Sequence, residues 1–306
     1  MEFFKKTTQI DFLGRRKQAA LLSCLLFGLS LLAIAWNGLR WGLDFTGGAQ
    51  LQLAFQQTLP LNTVRQQLKQ AGLTEVQVQS YGSSQIVLLT VAGISADESS
   101  QMHLRNTLHR ALPDATIKSL SWVGPQAGKA LLVKGVWALF LALLAIMLYV
   151  SLRFHYRLAL GAAVALIHDP ILIVGVFACL GIECNLVTLA AILTVIGYSL
   201  NNVIVIFDRI RENFQKLQQR DAVAIVNISI NETLSRTLMT SGITLAMVIV
   251  LYGFGGVLLH GFSVALIIGI LVGSYSAIYI ASALAVALGL DRHHVLPTPH
   301  PVDDRP

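Results

Sequence analysis

Residues 158–180 read LALGAAVALIHDPILIVGVFACL and, five residues later, residues 186–207 read LVTLAAILTVIGYSLNNVIVIF. Each run is near the ~20 residues that a helix needs to cross a bilayer. The first is interrupted at its middle by His168 and Asp169, and the second carries Asn201 and Asn202. A central Asp or Arg costs roughly 2.5–3.5 kcal/mol on insertion scales, so such groups usually face a bundle interior and often mark an ion or proton path. The two runs therefore read as inner spans of a membrane machine.

Four further apolar runs, at 19–37, 135–152, 237–256 and 262–288, bring the expected spans to six. Hydrophobic residues make up 55% of the chain, charged residues 12%, and the mean hydropathy is +0.66. A soluble domain needs far less apolar surface than this. Of 22 Lys and Arg, 14 lie in residues 1–17, 153–157, 208–236 and 292–305, whereas the loops near 181–185 and 253–261 carry none. That asymmetry marks the basic stretches as cytoplasmic and speaks against nucleic-acid binding, because the charges flank spans instead of forming a patch. Ala33-Ile34-Ala35 resembles a signal-peptidase site, but the apolar run is longer than a usual signal core and reads as a retained anchor. Cys24, Cys179 and Cys184 have no metal spacing and no even disulfide set.

The basic start sets the first span running outward, so 1–18 is a cytoplasmic N-terminus, 38–130 an outer domain and 291–306 a cytoplasmic tail. The outer domain reads as strand 49–55, helix 62–72, strands 75–80 and 85–91 around Gly82-Ser83-Ser84, helix 96–112 and strand 115–123. The order β-α-β-β-α-β is ferredoxin-like. Spans two to six occupy 131–290 and enclose a polar stretch, 208–236, whose apolar residues recur at helical spacing opposite Arg209, Arg211, Lys216 and Arg220. That pattern suits amphipathic helices on the inner membrane surface. The tail from His293 to Pro306 reads as disordered, not as a metal site.

Three groups of residues are candidates for function. His168 and Asp169, with Gly161 and Gly175 on the His168 stripe, either carry protons or only bond helices together. Asn201 and Asn202 cannot titrate near neutral pH and read as packing residues. Arg236, at the start of the fifth run and followed by Thr237, Thr240, Ser241 and Gly242, is either a boundary cation that snorkels or an inward cation paired to a carboxylate. Gly269 and Gly273 form a small-xxx-small pair in the last span. No nucleophile–base arrangement, phosphate loop or H-E-x-x-H is present, so enzyme chemistry has little support.

Several strings are more specific. Residues 42–48 read GLDFTGG, 123–125 VGP, 166–169 LIHD, 196–213 IGYSLNNVIVIFDRIREN, 233–242 TLSRTLMTSG and 254–256 FGG. In this order they resemble the SecD/SecF family of bacterial protein-export membrane subunits, within the RND superfamily, from about residue 12 to 290. The resemblance implies a multispan α-helical membrane protein with six transmembrane helices, half of an RND-type bundle. A periplasmic α+β ferredoxin-like domain would be inserted between helices 1 and 2. It implies an inner-membrane subunit that acts with a SecD partner, the SecYEG channel, YajC and preprotein substrates. Proton influx would drive outward movement of preprotein, with no cofactor.

Arg236 matches the family's functional intramembrane arginine. Position 202 normally bears a carboxylate, and here it is Asn202, which can hydrogen-bond Arg236 but cannot relay a proton. The carrier is then expected to be a carboxylate of the SecD partner, with Asp169 the only acid of this chain near mid-membrane. The junction Asp44, Phe45, Thr46, Gly47 and Gly48 is either a tight turn or a transmitter of motion. A small-molecule or ion RND transporter is the rival reading.

Overall fold

The structure, a computed structural model, describes residues 8–57, 60–73, 76–81, 83–94, 97–217 and 220–291. The Gly82 turn and the tail from His293 lie outside the described residues. In chain order the elements are α1 (Arg16–Asn37), β1 (Arg40–Trp41), α2 (Leu43–Thr46), β2 (Gly48–Phe55), α3 (Leu61–Gln70), β3 (Val76–Tyr81), β4 (Ser83–Ala92), α4 (Glu98–Ala111) and β5 (Ala115–Val123). Then follow α5 (Pro125–Arg153), α6 (Tyr156–Leu180), β6 (Glu183–Cys184), α7 (Leu186–Lys216), α8 (Ala222–Phe254), α9 (Gly256–Ser276) and, after a π-helical turn Ala277–Ala281, α10 (Ser282–Ala287). Among the described residues six helices are long and apolar enough to cross a membrane: Leu13–Asn37, Pro125–Arg153, Tyr156–Leu180, Leu186–Lys216, Ala222–Phe254 and Gly256–Ala287.

The α+β domain follows from period-two alternation in β2, where Ala49, Leu51, Leu53 and Phe55 point to one face and are buried. Val64 and Leu68 of α3 and Leu104 and Leu108 of α4 cover that face and complete its core. The sheet order is β3-β4-β2-β5 with every neighbour antiparallel, the split arrangement of a ferredoxin-like fold. Asp97 caps α4 by accepting the Ser100 N–H at 3.2 Å. Bonds from the Ser99 hydroxyl and Ser100 hold its carboxyl down at about 2.

Local signals set the ends of the spans. Pro125 occupies the first turn of α5, where its missing N–H costs nothing. Gly181 stops α6 in the left-handed region. Asn185 and Thr188 form a reciprocal capping box that starts α7. Within the bundle α6 and α7 are the inner helices: half of the α6 apolar window is buried against 6% of that in α5. Gly161 lies so close to Ala281 that a Cβ would sit 2.3 Å from its carbonyl oxygen, and one at Gly175 would sit 2.3 Å from Ser30 Cβ.

Two readings of the sequence need revision. The polar stretch 208–236 holds no separate surface helices among its described residues; its first part continues α7 and its last part belongs to α8. Ile210, Phe214, Val226 and Ile230 pack into the end of the bundle core, so their helical spacing marks a buried face and not a lipid-facing one. Arg236 thus stands near the middle of the 33-residue α8, at the start of that helix's apolar second half. Likewise α5 starts at Pro125, ten residues before the apolar run, because Gly128 packs on Phe45 and continues the helix into the junction.

Candidate functional site

The residues singled out in the sequence separate into a closed cluster, an open face and a junction. Asp169 is fully buried at the centre of the bundle. Its Oδ2 accepts the Ser199 hydroxyl of α7 at 2.6 Å and the Ser276 hydroxyl at the end of α9 at 2.8 Å. Its Oδ1 lies 3.2 Å from His168 Nδ1, and the His168 ring stacks on Phe27 of α1. One carboxyl thus ties three spans together, α6, α7 and α9, and the ring of the neighbouring His168 adds α1. Glycine makes this possible: a Cβ at Gly273 would meet Ser199 Cβ at 3.1 Å, so α9 approaches α7 closely enough for Ser276 to reach Asp169. Ser199 and Ser276 escaped the sequence reading because hydroxyls are common in spans and carry no signature of their own.

On α7 the neighbouring face is uncovered. Thr194, Gly197 and Asn201 are exposed, and so are Arg236 and Thr240 on α8. A Cβ added at Gly197 or Gly242 would meet nothing within 4 Å. Below this face Tyr198 donates to Ser241 at 3.0 Å, and Ser241 lies 3.0 Å from the Ser274 hydroxyl, linking α7, α8 and α9. Asn202 turns the other way, into the bundle, with its Nδ2 unpartnered among the described residues. Asn202 and Arg236 are therefore not joined, and the hydrogen bond expected between them is absent.

Arg236 shares a cleft of about 460 Å³ with Asp208, Glu212 and Glu232, yet every one of these acids is engaged elsewhere. Asp208 pairs with Arg153 at 2.9 Å, and Glu232 with Arg209 at 2.6 Å. Glu212 bridges Arg209 and Lys216 at 2.6 and 2.5 Å. No described residue bonds to the Arg236 guanidinium. Arg236 is exposed where the first half of α8, which carries Asn227, Asn231 and Glu232, gives way to its apolar second half.

The junction welds four elements. Asp44 Oδ2 accepts the Leu186 N–H at 3.0 Å, placing a carboxylate at the positive end of α7. Phe45 is buried edge-on against Trp41, and the Thr46 hydroxyl donates to the Gly42 carbonyl at 3.2 Å. Gly47 has φ +72° and no room for a side chain, since a Cβ would lie 2.8 Å from Pro125 Cα. At Gly48, φ +141°, it would lie 2.2 Å from the Val91 carbonyl oxygen. GLDFTGG and VGP, distant in sequence, thus meet in space. Arg40–Trp41 pair in parallel with Glu183–Cys184, and a cavity of about 650 Å³ opens between this pair, the sheet and the α8–α9 turn. Burial raises the Glu183 carboxyl above its ordinary range, against weaker opposing effects of the Gln77 hydrogen bond and Arg40. The three cysteines are free thiols.

These features agree with comparisons to known proteins. The model for "Protein export membrane protein SecD/SecF, C-terminal" matches residues 103–291, and that for the "SecD/SecF GG Motif" matches residues 33–59. The chain belongs to the SecF branch of the SecD/SecF protein-export family. The protein translocase subunit SecF of Vibrio alginolyticus is 42% identical over 97% of this chain and 95% of its own length. That of Haemophilus influenzae is 42% identical over 94% and 88%. The crystal structure of SecDF, a translocon-associated membrane protein from Thermus thermophilus, matches with TM-score 0.82 at 33% identity over 94% of this chain. A super-membrane-facing form of SecDF matches with TM-score 0.72 at the same identity. The chain spans 40% of the length of those SecDF chains. The GG-motif match contains the whole Asp44–Gly48 junction, and the C-terminal match contains both intramembrane polar groups.

Proposed function

We propose that this SecF-family chain is an auxiliary subunit of Sec protein export that acts with a SecD-type partner and uses the proton gradient to promote preprotein translocation and release. The observation that carries this reading is Arg236. Its guanidinium has no partner among the described residues, although three carboxylates line the same cleft, and it sits on an open polar face with Asn201 and Thr240. A second six-span chain bearing a carboxylate would complete that face, and protonation of the acid would break its pair with Arg236 and let the halves shift. Asn202 supplies no titratable group, so the moving proton is assigned to the partner's carboxylate.

The bias of Lys and Arg toward one set of loops supports placement in a bacterial inner membrane with the N-terminal arm and the α7–α8 connection cytoplasmic and the α+β domain periplasmic. SecYEG, YajC and preproteins are the wider partners this reading implies. The test uses cells depleted of the endogenous subunit and of ATP, expressing the SecD-type partner with or without this chain. Release of a translocating preprotein on imposing a proton gradient is expected only with the chain present. Equal release without it overturns the proposal. An Asn202→Asp variant that alone restores release would show that the wild-type chain is uncoupled.

A further inference from the structure

On the flank away from the open face, α1, α6 and the last span enclose a groove of about 550 Å³. Ala20, Cys24, Phe27, Val164, Ile167 and Leu284 line it, and its walls are almost wholly apolar. His168 closes the inner end, where its ring stacks on Phe27. Ala20, Cys24, Val164 and Ile167 are exposed, so the groove opens sideways toward hydrocarbon. α6 stands between this groove and α7, which keeps the site separate from the Arg236 face.

The other end of the groove is cationic. Arg16 and Lys17 form its mouth, with Arg15 beside them, and none of the three has a carboxylate partner among the described residues. Asp11, the nearby acid in the chain, turns to its own backbone and accepts the Gly14 N–H at 2.8 Å. Tyr279 joins the wall from the π-helical turn, its ring held by Phe12 and Tyr275 and its hydroxyl without a partner among the described residues. Isolated π turns in α-helices frequently serve functional sites, and here the turn carries two lining residues, Tyr279 and Ile280.

The dimensions identify the occupant. From Lys17 to Phe27 the helix rises about 15 Å, which is half of the ~30 Å hydrocarbon core. An apolar slot one leaflet deep, with two free cations and a phenol at its surface end, complements one acyl chain and a phosphate. We propose that the groove is a binding site for an anionic phospholipid of the leaflet on the Arg15–Lys17 side. One acyl chain lies along α1 and α6 as far as Phe27, and the phosphate is held by Arg16 and Lys17.

The test is native mass spectrometry of the full chain released from mixed micelles of phosphatidylglycerol and phosphatidylethanolamine. One retained phosphatidylglycerol is expected, with at least a tenfold preference over phosphatidylethanolamine. Arg16→Gln with Lys17→Gln should erase the preference while leaving residual binding of both lipids. Ala20→Phe, at an exposed position of α1 that tolerates a larger side chain, should fill the slot and reduce retention of both. Equal retention of the two lipids by the wild type overturns the proposal, as does retention insensitive to both sets of substitutions. Displacement of the lipid by millimolar inorganic phosphate would identify a bare anion site and overturn it. Loss of the lipid on adding a SecD-type partner would show that a partner helix, not a lipid, fills the groove.

Discussion

Asp169 and Arg236 are both charged residues inside apolar helices, and the chain treats them in opposite ways. Asp169 receives two serine hydroxyls and lies against His168, all from its own bundle, and it is inaccessible. Arg236 stands beside three acids that are each paired with other cations, and it looks outward. The Asp169 oxygens are all engaged, although Nε2 of the neighbouring His168 is buried without a hydrogen-bond partner among the described residues. Such bonds tie helices together, whereas a charge left unpaired in apolar surroundings is costly. The first group bonds helices of this chain to one another, and the second has no partner among the described residues.

Substitutions ranked by their effect on the isolated chain sharpen this contrast. Asp169→Ala leaves the Ser199 hydroxyl without its acceptor and the Ser276 hydroxyl with only the Gly273 carbonyl, and should cost about 3 kcal/mol, read as a lowered unfolding midpoint in detergent. If the chain were as stable as wild type while proton-driven release was lost, the closed cluster would be a proton site and the contrast would fail. Gly48→Ala forces a Cβ against the Val91 carbonyl in a backbone region that disfavours side chains, at about 2 kcal/mol, and should separate the α+β domain from the bundle in limited proteolysis. Ser199→Ala removes one of two donors to Asp169 and should cost about 1 kcal/mol.

Glu183 offers a pH test at the junction, where a polar group is enclosed but incompletely compensated. Its folded-state carboxyl titrates above the unfolded value of 4.5, so its contribution to stability is present below that pH and is lost as pH rises through the raised value. Glu183→Gln should therefore flatten the stability profile above pH 4.5 and make the chain more stable near neutrality, with a smaller effect than the substitutions above. Unfolding midpoints measured across pH 4–8 check this. Arg236→Gln comes last, within about 0.5 kcal/mol of wild type in the isolated chain. The same substitution should abolish gradient-driven release in the presence of the partner. A large loss of stability in the isolated chain would mean that Arg236 belongs to the closed class after all.

Much of this architecture was legible in the sequence. Apolar runs of membrane-spanning length, the alternation of AQLQLAF and the helical spacing of Val64 with Leu68 are local properties, dictated by transfer free energy and backbone period. GLDFTGG was equally legible as a place where glycine is required. Local pattern misled at 208–236, because a face buried against the bundle end and a face lying on lipid have the same spacing. Only the assembled bundle distinguishes them, through Asn213 donating to Glu232 at 2.6 Å and Arg209 clamping α7 to α8.

What the sequence by itself determined is which segments leave water and which polar residues go with them. Hydrophobicity is additive along the chain, and that is sufficient. What only the tertiary structure decided is which of those polar residues find partners. Asn201 and Asn202 are neighbours of the same type about 100° apart on the helix, yet one faces outward and the other inward. Which one is buried depends on the packing of α7 in the bundle, where Gly269 and Gly273 let α9 approach closely. The partners of Asp169 come from positions 30 and 107 residues away, and two of the acids beside Arg236, Asp208 and Glu232, are taken by cations on other helices. Pairing depends on distances across the bundle, which no local pattern encodes.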